Sequence, residues 1–203
     1  MYARWGKAAF DKGAAVLVLG LGAPVFLLLA LAVFCALGRP ILFTQRRMGR
    51  GGRAFTLVKF RSMQEGSAPD AFRLCAFGRL LRASGLDELP QMINILRGDM
   101  SLVGPRPLPL EYGPFMTPLQ QQRLSVHPGL LGFAQARGRN ALPWRRRLIC
   151  DVAYARRRPS LLLDLALSWR CLALVVRGYG ASMPGHVTSA PLGEKFEPRI
   201  TLS

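Results

Sequence analysis

The sequence predicts an α/β fold that is mostly α-helical with one short β-hairpin, in a domain anchored to a membrane by an N-terminal helix. A run of 26 residues without a charge extends from Gly13 to Gly38, as in a membrane helix. Two short, partly β-branched runs surround a glycine-rich loop within residues 41–63, which is typical of a hairpin. Most later segments have the apolar spacing of amphipathic helices. We expect a membrane helix with basic flanks at residues 1–40, a compact domain at 41–180 and an irregular tail at 181–203.

The composition indicates a partner with several negative charges. The chain has 203 residues and a formal net charge of +17, yet half of its residues are hydrophobic. Disordered basic tails lack that apolar content, so the composition excludes a disordered basic tail as the class of this chain. Nucleic acid, an anionic membrane surface and a phosphorylated substrate all fit this charge. The four cysteines have no CxxC spacing and the two histidines stand apart, so we expect neither a disulfide framework nor a zinc site.

The apolar run has an internal break signal. As a straight helix, Gly13–Gly38 would be about 39 Å long, more than the roughly 30 Å hydrocarbon core of a bilayer. Pro24 lies near its middle, and basic residues flank both ends. Proline favours a break at Ala23–Pro24, and basic residues on both sides do not give the charge asymmetry of a spanning helix. Two alternatives stay open: one transmembrane span, or a re-entrant helix that enters and leaves by the cytoplasmic face.

Three later segments are predicted to be helical. Ala71–Arg82 has the pattern of one amphipathic helix, and Glu111–Leu124 that of a polar surface helix. The stretch from Ser160 to Arg177 is nearly all apolar, but two charged residues interrupt it. It therefore suits an interfacial helix that lies in the membrane plane better than a span. Arginine triplets at residues 145–147 and 156–158 precede this helix and would lie among anionic head groups.

The stretch Ser84–Pro107, SGLDELPQMINILRGDMSLVGPRP, contains the strongest candidates for chemistry. Asp87 and Glu88 are predicted to begin a helix, because the proline at position 90 is tolerated only in a first turn, and Gly98 is placed to end it. The positive field of a helix N-terminus favours ionised carboxylates. The alternative is that Asp87 is only an N-cap and Glu88 a first-turn dipole partner. The rigid Pro-Arg-Pro segment holds the guanidinium of Arg106, a natural ligand for phosphate.

Several motifs together resemble the monotopic phosphoglycosyl transferases, the bacterial sugar transferase family. They are KFRSM, FGRLLR, the stretch Ser84–Pro107, LSVHPGLLGFAQARGRNAL and the late Asp151, in this order between about Lys7 and Arg177. DELPQ followed by GDMSLVGPRP is highly specific. The short chain is similar to the minimal members, and GHVT at residues 185–188 is similar to the tail of members that act on diacetylated bacillosamine.

The resemblance implies a two-step reaction at the cytoplasmic face of a bacterial inner membrane. Asp87 would attack the β-phosphate of a UDP-sugar, N-acetylated by analogy, and UMP would leave. A polyprenyl (undecaprenyl) phosphate would then take the sugar phosphate from the enzyme. Glu88 would hold Mg²⁺ together with the diphosphate. The substrate-binding candidates that the resemblance implies are Lys59, Arg82, Arg106, Arg139 and Asp151; the last could instead orient an arginine or assist the metal. The resemblance does not give the oligomeric state.

The chain departs from the family pattern at three places. Ala23 replaces a serine that commonly precedes the mid-helix proline, and Phe133 replaces a usual tryptophan. Arg145–Arg147 replace a usually acidic stretch, so the analogy is a weaker guide to which sugar is transferred.

Two other classes of protein are compatible with parts of the sequence. A membrane-tethered nucleic-acid binder would place the arginine triplets on phosphates, but the sequence has no helix-turn-helix or RNP pattern, so nucleic acid is not expected. A non-catalytic subunit of a glycan-assembly complex would have no need of the intact acid pair.

Overall fold

The computed structural model describes residues 2–180. After a π-helical turn at Tyr2–Gly6, the α-helices are α1 (Lys7–Leu37), α2 (Asp70–Arg73), α3 (Ala76–Ala83), α4 (Gln91–Arg97), α5 (Pro118–Gln121), α6 (Trp144–Ala155) and α7 (Leu161–Val176). The strands are β1 (Leu42–Met48), β2 (Ala54–Phe60), β3 (Ser101–Val103) and β4 (Gly129–Leu131). Short 3₁₀ turns connect several of these elements. The tail at residues 181–203, with its GHVT motif, lies outside the described residues.

The predicted β-hairpin is confirmed. Strands β1 and β2 pair antiparallel from Leu42 opposite Phe60 to Met48 opposite Ala54, and the glycine-rich segment forms the turn between them. A second small sheet was not predicted: β3 and β4 pair in parallel, with Ser101 opposite Gly129. Strands of three residues are too short to give a periodic signal in sequence.

Helix α1 has 31 residues and is long and apolar enough to cross a membrane. Its middle faces outward, since Leu21 and Leu27 are 77% and 73% exposed. Removing such a leucine from water is worth about 1.5–3 kcal/mol, so this exposed apolar surface is compatible with membrane anchoring. Between Lys7 and Leu37 the helix shows no interruption at Ala23 or Pro24, so the expected separation into two helices is not seen. Proline removes one hydrogen bond, and a helix can bend there without ending.

The N-terminal end of α1 is fixed by a buried carboxylate. Asp164 of α7 is 1% exposed and accepts hydrogen bonds from the Tyr2 hydroxyl at 2.8 Å and the Lys7 ammonium at 2.7 Å. The hydroxyl of Tyr154, on α6, donates to the other oxygen of Asp164 at 2.8 Å. This network joins the first turns of the chain to two helices near its end. An ion pair with this many hydrogen bonds offsets much of the cost of burying the charge.

The rest of α1 also contacts the compact domain. Ser101 donates a hydrogen bond to Asp11 at 2.6 Å, and near the other end Arg61 donates to the carbonyl of Leu37. Ala15 is fully buried in an apolar cluster with β2 and α4, and a second cluster around α1 includes Phe60 and Leu81. Both ends of α1 therefore lie against the same domain.

Helix α7 buries Asp164, Leu167 and Cys171 against the domain. Its outer face is largely apolar, with Leu162, Trp169 and Val176 72–80% exposed, and also has the exposed Arg170. This outer face is compatible with the expected interfacial helix.

Two of the predicted helices are wrong in extent. The segment at residues 71–82 forms two helices, α2 and α3, because the chain becomes extended at Leu74 and Cys75, and the thiol of Cys75 caps α3. The segment at residues 111–124 forms a 3₁₀ turn, the short helix α5 and another 3₁₀ turn. Its prediction as a polar surface helix also fails at Arg123, which is 2% exposed.

Candidate active site

Asp87 and Glu88 lie in a tight turn before α4 rather than at its first residue. The 3₁₀ turn Leu86–Glu88 follows Gly85, whose φ of 70° favours glycine. Helix α4 begins only after Pro90, so the expected helix start at Asp87 is wrong by one turn. A proline is compatible with the first turn of an α-helix and with a preceding 3₁₀ turn, so it does not fix where the α-helix begins. The predicted helix end is confirmed, since Gly98 caps α4 with φ 84°.

A buried amide holds this turn against the hairpin. Asn94 of α4 is fully buried; its Nδ2 donates to the carbonyl of Thr56 at 2.7 Å, and its Oδ1 accepts from the Val58 amide at 3.1 Å. These bonds fix α4 on β2 and so bring the next residue of the strand, Lys59, to Asp87. The two charged groups lie 3.9 Å apart.

Arg82 approaches the same carboxylate from α3. Its guanidinium donates to the Ser62 hydroxyl at 2.9 Å and contacts the sulfur of Met63 at 3.5 Å. Both partners belong to the KFRSM segment, directly after β2. The carboxylate of Asp87, which is 4% exposed, therefore faces two cations whose positions are set by one strand.

Arg106 and Glu88 form a forked pair. The two terminal nitrogens of Arg106 donate to the two carboxylate oxygens of Glu88. The prolines on either side of Arg106 restrict its backbone, as the sequence predicted. The pair is partly exposed, so a substrate phosphate can reach it.

Asp151 is connected to the acid pair indirectly, through Arg123 and Arg106. It is 3% exposed and pairs with Arg123, whose Nε and Nη2 lie 3.1 and 2.7 Å from one oxygen of Asp151. Arg123 also donates to the backbone carbonyl of Arg106. Of the roles expected for Asp151, the geometry matches the orientation of an arginine. Arg123 was missed in the sequence, because nothing in a polar-looking segment marks one arginine as buried.

Arg139 completes the group of cations. It has a φ of 51°, unusual for a residue with a side chain. Its guanidinium donates to the carbonyl of Ala83 at 3.3 Å and to that of Tyr179 at 3.3 Å. These bonds hold it at the end of α3, where its charge acts on both Asp87 and Glu88.

The two neighbouring acids have opposite pKa changes. Burial, together with the charge of Glu88, raises the pKa of Asp87 to about 6, although Lys59 and Arg82 oppose this. Burial would also raise the pKa of Glu88, but the charge and hydrogen bonds of Arg106 outweigh it and hold that pKa below its ordinary value. The expected helix-end field favours the ionised forms of both acids, and at Asp87 burial opposes ionisation. Burial lowers the pKa of Lys59 to about 8, against the attraction of Asp87.

Glu88 fits the role of a magnesium ligand. A carboxylate has about four lone-pair sites, and the Arg106 fork takes two of them. Magnesium at phosphate sites is commonly held by one or two carboxylates, substrate phosphates and water. Within residues 2–180, no three His, Cys, Asp or Glu side chains gather as a metal site of their own. Phosphate oxygens would have to supply further ligands, and magnesium itself stays a prediction.

A buried carboxylate facing fixed cations, in a domain with one helix apolar enough to cross a membrane, is compatible with a membrane-associated transferase of phosphate-containing groups. The family model described as "Bacterial sugar transferase" matches residues 2–178. The chain belongs to the bacterial sugar transferase family.

Curated relatives agree with this membership. The chain is 40% identical over 189 residues to the "Uncharacterized sugar transferase EpsL" of Bacillus subtilis, covering 90% of this chain and 93% of that protein. It is 37% identical over 187 residues to a UDP-glucose:undecaprenyl-phosphate glucose-1-phosphate transferase of Caulobacter vibrioides, covering 84% and 67%. It is 32% identical over 201 residues to an undecaprenyl-phosphate galactose phosphotransferase of Salmonella typhimurium, covering 88% of this chain but 42% of that longer protein.

Proposed function

We propose that this protein moves a sugar 1-phosphate from a UDP-sugar to undecaprenyl phosphate through a covalent intermediate on Asp87. The observation that supports this most is the buried Asp87 carboxylate with Lys59 at 3.9 Å. The names of the Caulobacter and Salmonella relatives support the same kind of reaction. In this proposal the protein acts at the cytoplasmic face of the bacterial inner membrane, where nucleotide sugars are made.

In the first step an Asp87 oxygen attacks the β-phosphorus of the UDP-sugar. The bond from that phosphorus to the bridging oxygen breaks, and UMP leaves with the bridging oxygen and its electron pair. In the second step an oxygen of the lipid phosphate attacks the same phosphorus. The bond to Asp87 breaks, the carboxylate is restored, and the product is undecaprenyl-diphospho-sugar. A carboxylate can serve both as nucleophile and as leaving group because it is weakly basic.

The surrounding cations lower the barrier to both steps. Lys59 and Arg82 neutralise the phosphoryl group that approaches Asp87, since the attack of one anion on another is otherwise unfavourable. Arg106 and Arg139 bind the second phosphate, and the planar fork of arginine suits its oxygens. Magnesium, when held by Glu88, would add positive charge at the diphosphate. Asp151 and Arg123 keep Arg106 in place through its backbone carbonyl.

Release of UMP from a panel of UDP-sugars, with and without undecaprenyl phosphate, tests this function. The panel includes UDP-glucose, UDP-galactose and N-acetylated UDP-sugars, because the N-acetylated class is an expectation by analogy and the relatives above are named for glucose and galactose. We expect one class of UDP-sugar to give sustained UMP release, and to do so only when the lipid phosphate is present. Without it, release of about one UMP per enzyme is the mark of the covalent intermediate. No UMP with any sugar would refute the proposal.

We also propose that α1 is re-entrant. Its first turn bonds to Asp164, and the carbonyl of Leu37 at its last turn bonds to Arg61, so both ends meet one domain. If α1 spanned a bilayer, its ends would be separated by roughly 30 Å of hydrocarbon, and one set of contacts could not form. A bend at Pro24 would let α1 enter the bilayer and return while it keeps both sets of contacts.

Two single-cysteine proteins test this topology, each made after the native cysteines are removed. We expect Ala3→Cys, before α1, and Gln64→Cys, after β2, to be protected from an impermeant thiol reagent in intact cells. Both should be labelled once the inner membrane is permeabilised, which serves as the control. Labelling of Ala3→Cys in intact cells, with Gln64→Cys still protected, would mean an ordinary span.

A further inference from the structure

A cavity with a volume of about 260 Å³ lies away from the acid pair. It is bounded by the first turns of α1, the turn of the β1–β2 hairpin, the end of α4 and the turn between α6 and α7. Neither Asp87 nor Glu88 lines it. Sites for drug-sized ligands usually measure roughly 300–1,000 Å³, so this cavity suits part of a ligand and is too small for a nucleotide sugar.

The inner wall of this cavity is largely apolar. Its buried and half-buried hydrophobic residues are Ile95, Met100, Val103, Val126 and Leu163. The buried carboxylate in the wall, Asp11, already has partners within the protein. Ser101 donates a hydrogen bond to it at 2.6 Å, the backbone of Leu102 bonds to it, and the ammonium of Lys7 lies 3.8 Å away. The interior therefore offers mainly hydrocarbon surface to a ligand.

The mouth of the cavity is strongly basic. Four exposed cations from three separate segments line it, namely Lys12 of α1, Arg50 of the hairpin turn, and Arg157 and Arg158 between α6 and α7. Among residues 2–180, none of these four forms an ion pair with a carboxylate. A concave surface lined by charges of one sign attracts and concentrates ligands of the opposite sign. The mouth therefore favours an anion.

The surface next to this cavity suits a membrane interface. Trp5, which is 77% exposed, closely precedes the lining residue Lys7, and Leu162, which is 80% exposed, directly precedes the lining residue Leu163. Tryptophan is enriched where the hydrocarbon meets the head groups, and leucine is favoured within the hydrocarbon. A lipid can therefore reach the cavity from the membrane, with its phosphate at the level of the cations.

We propose that this cavity binds an anionic phospholipid, with its phosphate at the four cations and the first methylene groups of an acyl chain against the apolar wall. Both parts of such a ligand are matched, since cations bind phosphate and the wall favours hydrocarbon. A choline lipid brings a positive charge to the same cations, and a free phosphate has nothing to place against the wall. The site also distinguishes the two arginine triplets, because residues 157 and 158 line the cavity and residues 145–147 do not. It is separate from the reaction at Asp87 and does not depend on the proposed function.

Titration calorimetry tests the class of ligand on the full-length protein, purified in a neutral detergent and stripped of native lipid. The probes are dihexanoyl phosphatidylglycerol, dihexanoyl phosphatidylcholine, inorganic phosphate, and glycerophosphoglycerol, which is the first head group without acyl chains. We expect dihexanoyl phosphatidylglycerol to bind about tenfold more tightly than each of the other three. Removing roughly two methylene groups from water accounts for this factor against the probes without acyl chains, and net negative charge accounts for it against the choline lipid. Equal affinity for the two lipids would overturn the proposal. Equally tight binding of inorganic phosphate or glycerophosphoglycerol would assign the cavity to a soluble anion and also overturn it.

Two double variants with the same change of charge test where the lipid binds. Lys12→Gln with Arg158→Gln removes two cations from the mouth and should weaken the binding of dihexanoyl phosphatidylglycerol by about tenfold or more. Arg145→Gln with Arg146→Gln removes two exposed arginines of α6 outside the cavity and should leave the affinity within about twofold of the wild type, because salt screens distant exposed charges. All four positions are exposed, so both proteins should fold, and equal melting temperatures check this. Equal affinities of the two double variants would mean either general attraction to a basic surface or no role for the mouth, and would overturn the site.

Discussion

Replacing Asp87 by asparagine is expected to abolish UMP release and at the same time to stabilise the protein. Loss of a covalent nucleophile lowers turnover by on the order of 10⁴-fold or more. The stability effect follows from the raised pKa: a change from 3.8 to about 6 corresponds to about 3 kcal/mol that the folded state loses when Asp87 ionises. Asparagine remains neutral and avoids that loss. Glu111→Gln, an exposed acid away from the site, is the control and should change neither quantity.

The sign of this effect gives a pH test. A group whose pKa is raised on folding stabilises the fold fully below its unfolded value of about 4 and ceases to do so as the pH rises through about 6. The gain in melting temperature of Asp87→Asn should therefore be clear at pH 7.5 and absent near pH 4. For the wild type, kcat/KM should fall below about pH 6, because the nucleophile must be ionised. Residual turnover in Asp87→Asn near the wild-type rate would contradict the assignment.

Breaking the Arg123–Asp151 pair is expected to have the largest effect on stability. Arg123 and Asp151 are 2% and 3% exposed, and removing one partner leaves a buried charge unpaired. Arg123→Met or Asp151→Leu alone should lower the free energy of unfolding by about 3–5 kcal/mol. The double variant should recover most of this loss, because two apolar side chains pack where the ions were. Denaturant unfolding of the purified proteins measures all three.

Activity measurements distinguish this effect on stability from the proposed positioning of Arg106. The double variant, although stable, has no donor for the Arg106 carbonyl, so we expect its KM for the UDP-sugar to rise while its fold stays intact. Glu65→Gln, which changes a side chain 70% exposed that lies 3.7 Å from Arg61, should change stability by less than about 1 kcal/mol. Single variants as stable as that control would contradict the role of the buried pair.

The sequence predicted best the features that depend on neighbouring residues in the chain. The hairpin follows from two short runs around glycines, and the end of α4 follows from Gly98, because each depends on neighbours in the chain. The motif resemblance identified Lys59, Arg82 and Arg139, and the structure places all three around the acid pair. Their roles in catalysis stay predictions.

The sequence could not predict which side chains are buried by residues distant in the chain. Arg123 pairs with a residue 28 positions away, and Asn94 pairs with β2, yet nothing near either residue signals a buried partner. The raised pKa of Asp87 could not be predicted for the same reason, since its dominant cause is burial by segments distant in sequence. The 3₁₀ turn before α4 was missed because a proline start is compatible with both kinds of helix.

The hydrogen bonds of Asp164 make the membrane helix part of one cooperative folding unit. Removing residues 1–40 would take away Tyr2 and Lys7 and leave this buried carboxylate with a single hydroxyl partner, Tyr154. It would also uncover the cluster around Ala15. The clusters around Val103 and Leu148 contain no residue of α1, so the domain at residues 41–180 would keep that part of its core when expressed alone. A soluble version without the helix would need substitutes for the contacts at Asp164 and around Ala15.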